Sequence, residues 1–449
     1  MADVPRYTGT FGRAQAERLL WRAGFGGSKE AAQNLAQKGL GQAVRAFTRP
    51  RHEELKGPKP TDDEGDAIAP YDSYGHDVLW ALDRMVRTRA PGLERMALIW
   101  HDWFATGDVS SPRLSINQWK LFRKHAVGDF HQLVRSVTQD PAMLVWLSGI
   151  DNHKDWPNEN YGRELMELFT LGAAVDGYPY TEDDVREQAR ALTGFTARWV
   201  EDIGLTNFHF ELSRHDRGSK TIFGRTGDFD WQDSCRLCLE HEAHAPYFIN
   251  RMWNHFVPVA PDDTTRAALE ELYVARDYAI RPVVEAILMH PTFHTGPSMV
   301  KPPMVAIAGM LRARKRGVDM DSWTWISDLA GQRVFRPPNV SGWDETRWLD
   351  TSTFRGRWYA GSYIVRQDEI RDDDLEEYPE DETAAEAVDR ALRYWGEPSL
   401  TDATRGELVA FAQAAQDAAT AQWQRSTYRG LRQNALRMLI ANSPDLQAC

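Results

Sequence analysis

Apolar residues recur three and four positions apart over most of the chain, which is the spacing of one helical face. Residues 11–48 predict two helices joined by the glycine-rich turn in "RAGFGGSKEAA", with Ser28 capping the second. In "PGLERMALIWHDWFATG", Leu93, Met96, Ala97, Trp100 and Phe104 share one face. "LSINQWKLFRKHAVGDFHQLVRSVTQ" predicts one or two more helices, and "DPAMLVWLSG" opens with Asp140 as a cap and Pro141 at the first helical position. In "PNENYGRELMELFTLG", Asn158 is the predicted cap and Glu159 complements the helix dipole. Tyr161, Leu165, Leu168 and Phe169 form an apolar stripe there, and Asn160, Arg163, Glu164 and Glu167 form a polar one. The next helix, in "YTEDDVREQARALTGF", starts at the cap Thr181 and buries Val185, Ala189 and Leu192. The short connection makes these two helices antiparallel neighbours, so that Glu187 or Arg190 could face Glu164 and Glu167. Helices resume at Trp231 and close the chain.

Four stretches break this period. Residues 51–77 are rich in Pro, Gly and Asp and predict a surface loop. In "TNFHFELSRHDRGSKTIFG", Phe208, Phe210 and Leu212 alternate with polar residues ahead of a turn at Asp216–Ser219, which predicts a β-hairpin over 206–224. "VFRPPNVSGWDETRW" cannot be helical, because Pro337 and Pro338 remove donors and clash with a preceding turn. It predicts an ordered loop over 335–350 bearing Trp343 and Trp348. The fourth is an exposed acidic run, Asp368 to Glu382. The expected fold is mainly α, an orthogonal or bundle-like assembly of many helices with one small β-hairpin. Residues 1–366 would form the main helical domain, 367–382 an acidic linker, and 383–449 helices packing back on the main domain.

Composition narrows the function classes. The 449 residues carry a net charge of -12, which argues against a nucleic-acid surface. The basic run "RARKRG" reads as a solvated helix end. Three cysteines exclude a disulfide framework. No signal peptide and no run of about 18 apolar residues is found, so no membrane span is expected and the chain as written reads as cytoplasmic. A chain trimmed of an export leader would read the same. Of the 17 tryptophans, Trp100, Trp103, Trp146 and Trp253 sit at core spacing. In "CRLCLEHEAHA", potential ligands three apart march along a helix and do not surround a point, so Cys235 and Cys238 read as small core residues.

Several stretches together resemble one family. "PNENYGRELMELFTLG", "YTEDDV", "ARALTGF", "HDRGSKTIFG" and "RPPNVSGW", with "AERLLWRAGFG" near the start and "SPDLQ" near the end, are similar to the bacterial family named domain of unknown function 1800. The resemblance spans nearly the whole chain and implies one long helical unit. It implies motif positions at Asn158, Glu159, Asn160, Arg163, Glu164, Glu167, His215, Asp216, Lys220, Asn339 and Trp343, without assigning their roles. Family members are often exported. The family's Lys-x-Pro-x-Glu pattern appears here as "KPPMV", with Val305 in place of the acid.

The chemistry these residue types support is carboxylate acid/base hydrolysis, most naturally of a glycoside or polysaccharide. Candidate catalytic groups are Glu159, Glu164, Glu167, His215 and Asp216. Asn160, Arg163, Lys220, Asn339, Trp343 and Trp348 would bind a small-molecule or carbohydrate ligand. Arg163 and Glu167 are spaced to pair. "HDRGSK" is either an anion site built on Lys220 and His215 or a turn closed by an Asp216–Lys220 pair. No cofactor is expected. The alternatives are a metal site on His101, Glu164, Glu167 and His215, His101-Asp102 and His215-Asp216 being the two His-Asp pairs, or a non-enzymatic binding or assembly protein.

Overall fold

The computed structural model describes residues 4–107, 109, 111–201, 203–371 and 381–449. The fold is mainly α, with two small antiparallel strand pairs. Its centre is the helix Pro91–Trp103, where Leu98, Ile99, Trp100 and Trp103 are all buried. A carboxylate on this helix ties its neighbours to it. Glu94 is fully buried and accepts from Arg84 Nε at 2.7 Å, Arg123 Nε at 2.9 Å and Trp119 Nε1 at 2.8 Å. A buried carboxylate persists only when its lone pairs are filled. Here that requirement fixes the helices His76–Arg87 and Pro112–Lys124 against the central one. Trp100, Trp103 and Trp253 are core, as their spacing predicts, and Trp146 is only partly covered.

Residues 11–48 form three helices where two were expected: Arg13–Arg22, Lys29–Gln37 and Leu40–Thr48. Gly39, at φ 73°, is the break. Ser28, Asp140 and Thr181 cap as predicted, accepting from the N–H groups of Ala31, Met143 and Asp184. The helix expected from Asn158 begins at Asn160. Asn158 Oδ1 takes the Asn160 N–H at 2.9 Å, a turn just ahead of the first helical residue. The C-terminal helices share the same apolar cluster: Trp395, Leu436, Ile440 and Leu446 join Leu19 and Ile307 in it.

The strands differ from the expected hairpin over 206–224. β1 (Phe195–Val200) pairs with β2 (Gly204–Phe210), and β3 (Lys220–Ile222) pairs with β4 (Arg225–Gly227). Leu212 lies in a short 3-10 turn, so the visible alternation belongs to a strand whose partner lies upstream. The "RARKRG" run is also not a solvated end. Arg312 donates to the carbonyls of Met85, Val86 and Thr88, the open C-terminal end of the helix His76–Arg87. In the acidic run, residues 372–380 lie outside the described residues. At its end, Glu382 is buried and paired with Arg390 and Arg432, not exposed. Among the described residues no helix is long and apolar enough to cross a membrane.

One cap carries a pH signature. Asp140 is buried and accepts from Met143 N–H and Gln118 Nε2, and burial pushes its carboxyl up to about 7. The native state therefore keeps this proton where the unfolded chain has released it. The stabilising contribution is complete below the usual carboxylate range and is lost as pH rises through about 7. Asp140→Asn keeps an acceptor for the cap and removes the titration. Its Tm should therefore fall less between pH 5 and pH 8 than the wild-type Tm. Parallel pH profiles of the two would refute this assignment.

Candidate functional site

The loop 335–350 is placed by two adjacent residues of the central helix. His101 Nε2 accepts the Phe335 N–H at 2.8 Å, and Asp102 Oδ1 accepts the Trp343 N–H at 2.9 Å. Phe335 sits at φ 63°, a conformation that L side chains adopt only when held. Between the two anchors, Gly342 is required twice over. Its φ is +92°, and a Cβ there would lie 2.4 Å from Asp102 Oδ1. Gly342→Ala should cost about 1–3 kcal/mol, the range for a residue forced into such a position. A urea unfolding midpoint equal to wild type would show that the loop is not held this way.

Docking the loop closes a hollow of about 280 Å³ against the helices Pro91–Trp103 and His244–Asn254. Arg95, Leu98, Ile99 and Asp102 line it from the first helix, at i, i+3, i+4 and i+7. Arg251, Asn254 and His255 line it from the second helix and the residue after it. Trp343, Glu345 and Trp348 come from the loop. Trp348 is fixed through its carbonyl, which accepts Arg357 Nε at 2.9 Å.

The electrostatics of this hollow are unusual for a surface recess. Burial pushes the Asp102 carboxyl up, opposed by the Trp343 N–H and by the positive Arg251 and Arg95. Glu345 is exposed at the rim, and its carboxyl is also pushed up, by partial loss of hydration and then by the charge of Asp102. Two acids thus compete for ionisation across one recess. His255 is driven well below the usual imidazole range by burial and then by Arg251 and Arg95, so it is neutral, and among the described residues its buried Nε2 has no hydrogen-bond partner.

The helix carrying the acidic motif meets this hollow indirectly. After Asn160–Glu164 it widens into a π turn over Leu165–Thr170. The carbonyls freed at its C-terminal end are taken by side chains. Trp103 Nε1 donates to Phe169 O at 3.0 Å, Tyr247 Oη to Leu168 O at 2.6 Å, and Arg251 also to Leu168 O. Arg251 thereby joins the acidic helix to the hollow. Glu164 and Glu167 are partly buried and have no hydrogen-bond or ion-pair partner among the described residues. Burial, then the charge of Glu167, pushes Glu164 up. Neither lines the hollow. Arg163 does not pair with Glu167 as its spacing suggested. It binds Glu182 through two bonds, at 2.9 and 2.8 Å, and Glu159 at 3.1 Å. Arg before Glu is the weaker i,i+4 order, and Arg163 instead bridges Glu182 of the neighbouring helix and Glu159 one turn upstream. Asn160 is exposed.

The "HDRGSK" segment is spent internally. His215 Nδ1 faces Thr193, at 2.9 Å from its carbonyl oxygen and 3.2 Å from its hydroxyl. Asp216 binds Arg190 at 2.7 Å and the Gly218 N–H at 2.8 Å. Lys220 Nζ donates to the carbonyls of Asp216 and Gly218, at 2.5 and 2.8 Å. The cation of the expected anion site closes its own turn, and the expected Asp216–Lys220 side-chain pair is replaced by Asp216–Arg190. His215, Asp216 and Lys220 do not line the hollow that Trp343 lines. Asn339 accepts the Ser341 N–H and shapes the exposed part of the loop.

The alternative metal ligands are not gathered. Among the described residues no three His, Cys, Asp or Glu side chains are grouped to hold a metal ion, and His101, Glu164, Glu167 and His215 all lie within those residues. His101 is engaged by the loop, and burial lowers it to about 3. Cys235 and Cys238 are fully buried, with burial pushing both thiols up. Val305 is core, and the adjoining Lys301 donates to the carbonyls of Asp445 and Leu446.

Sequence reasoning missed Arg95, Arg251, Asn254, His255 and Glu345. The signal was present: in "RMWNHF", Arg251, Asn254 and His255 form a polar stripe at i, i+3 and i+4 opposite Met252, Trp253 and Phe256. No curated protein and no solved structure matches the chain. A family model described as "Protein of unknown function (DUF1800)" matches residues 18–448, nearly the whole chain, and the protein belongs to that family.

Proposed function

We propose that the protein is a hydrolase whose working site is the hollow between the central helix and the 335–350 loop. Asp102 and Glu345 form its acid/base pair. The observation that carries the reading is Asp102 itself: a carboxyl aimed into an open recess, raised by burial, with a backbone N–H as its one hydrogen-bond partner among the described residues. Such an acid keeps its proton closer to neutrality than a solvated one and can deliver it to a leaving group. Glu345 supplies the second carboxyl, whose ionisation is linked to that of the first. The Trp343 and Trp348 indoles line the same recess and suit the apolar face of a sugar ring, which favours a glycoside as substrate.

The test is turnover of a panel of chromogenic glycosides, neutral and acidic, by the wild type and by Glu345→Gln. Loss of turnover in the variant, with a bell-shaped pH–rate profile in the wild type, supports the pair. A variant that turns over the same substrate at the wild-type rate removes Glu345 from the chemistry.

A further inference from the structure

The deep arginines of this protein are mostly consumed by the fold. Arg22 donates to the carbonyls of Phe256, Pro297 and Cys449. Arg357 donates to Trp348 O, Gln447 Oε1 and Lys301 O, and Arg251 to Leu168 O and Trp103 O. Arg95 is different. It is 4% exposed, and its Nε donates to Arg22 O at 3.3 Å. Its two terminal nitrogens have no hydrogen-bond partner and no ion pair among the described residues, and the side chain lines the hollow. The negative charges of the Cys449 carboxylate, Asp102 and Glu345 act on it only through space.

A guanidinium this deeply buried, with no direct ion pair and two terminal nitrogens unbonded among the described residues, is costly. The cost is recovered when an oxyanion fills the planar fork with two parallel hydrogen bonds. A second donor stands in the same recess. Gln332 is buried, lines the hollow, and has its Oε1 fixed by the Met304 N–H at 3.0 Å, and its amide NH₂ has no partner among the described residues.

We infer that the substrate carries an oxyanion (a carboxylate, phosphate or sulfate group) that Arg95 binds at the floor of the hollow, with Gln332 beside it. The inference rests on the hollow being the working site and narrows the glycoside reading to acidic sugars. Trp343 and the Asp102–Glu345 pair would then meet the neutral part of the molecule. Arg95 acts here as a binding residue and takes no proton.

Calorimetric titration of the full chain with glucuronate, glucose 6-phosphate, inorganic sulfate and glucose tests this and separates the three anion types. At least one oxyanion should bind with a Kd of about 1 mM or tighter, and neutral glucose should bind at least tenfold more weakly. Arg95→Gln should weaken that anion at least tenfold with glucose unchanged. Arg95→Lys keeps the charge without the fork and should fall between; it also serves as the informative variant should the glutamine form fail to fold. Failure of every oxyanion to bind, or equal binding by a folded Arg95 variant, overturns the proposal. The hydrolase reading fails separately. An anion that binds through Arg95 yet is never turned over in any derivative leaves this inference standing and removes the chemistry.

Discussion

Asp102→Asn is expected to abolish turnover while leaving the fold in place. The asparagine Oδ1 can still accept the Trp343 N–H, so the loop anchor survives. Gly342 still fits, because the side chain keeps its shape. What is lost is a group able to give and take a proton. Removing a positioned acid or base lowers kcat by on the order of 10²–10⁴. The Tm should change little, because no buried partner is left unpaired. Measuring kcat and Tm on the same preparation separates the two roles. A variant that keeps its rate shows that Asp102 does no chemistry. A variant that melts far below wild type shows that Asp102 is a structural acid.

The largest stability loss is expected at Glu94. Glu94→Ala leaves two partly buried guanidinium groups and a buried indole N–H without their shared acceptor, since Arg84, Arg123 and Trp119 all converge on that carboxylate and, among the described residues, only Arg123 keeps a second acid, Glu53. Breaking a buried ion pair from one side costs about 3–5 kcal/mol, a large share of the stability of an ordinary domain. Urea unfolding followed by circular dichroism reads it directly. The exposed Glu54–Arg89 pair is the control, and its removal should leave the unfolding midpoint where it was. Equal midpoints for the Glu94 and Glu54 variants would mean that the central helix is held by its apolar face alone. The site depends on this result, because Arg95, His101 and Asp102 ride on the same helix.

The helices and several caps were legible because period and capping are local. Ser28, Asp140 and Thr181 act on N–H groups three residues away. The strands were less so. Alternation showed one edge of a pair, while its partner Phe195–Val200 continues directly from a helical motif and carries little alternation of its own. Pairing choices were the least legible. Arg163 had an acid at the right helical spacing in Glu167 and took Glu182 from the neighbouring helix. His215 and Lys220 have the composition of a site, yet they bind Thr193 and the turn carbonyls. Trp343 and Trp348, expected as ligand-binding residues on the double-proline loop, line the hollow. The hollow itself needed the docking of that loop on His101 and Asp102, more than 230 residues away, which no local pattern encodes.

The measurement closest to the central claim is a pH titration of the Glu345 carboxyl by carbon-13 NMR, in wild type and in Asp102→Asn. If the two acids share one recess, Glu345 titrates above the usual glutamate range in wild type, and the neutral asparagine moves it down. A Glu345 that titrates in the ordinary range, or at the same pH in both proteins, would contradict the account.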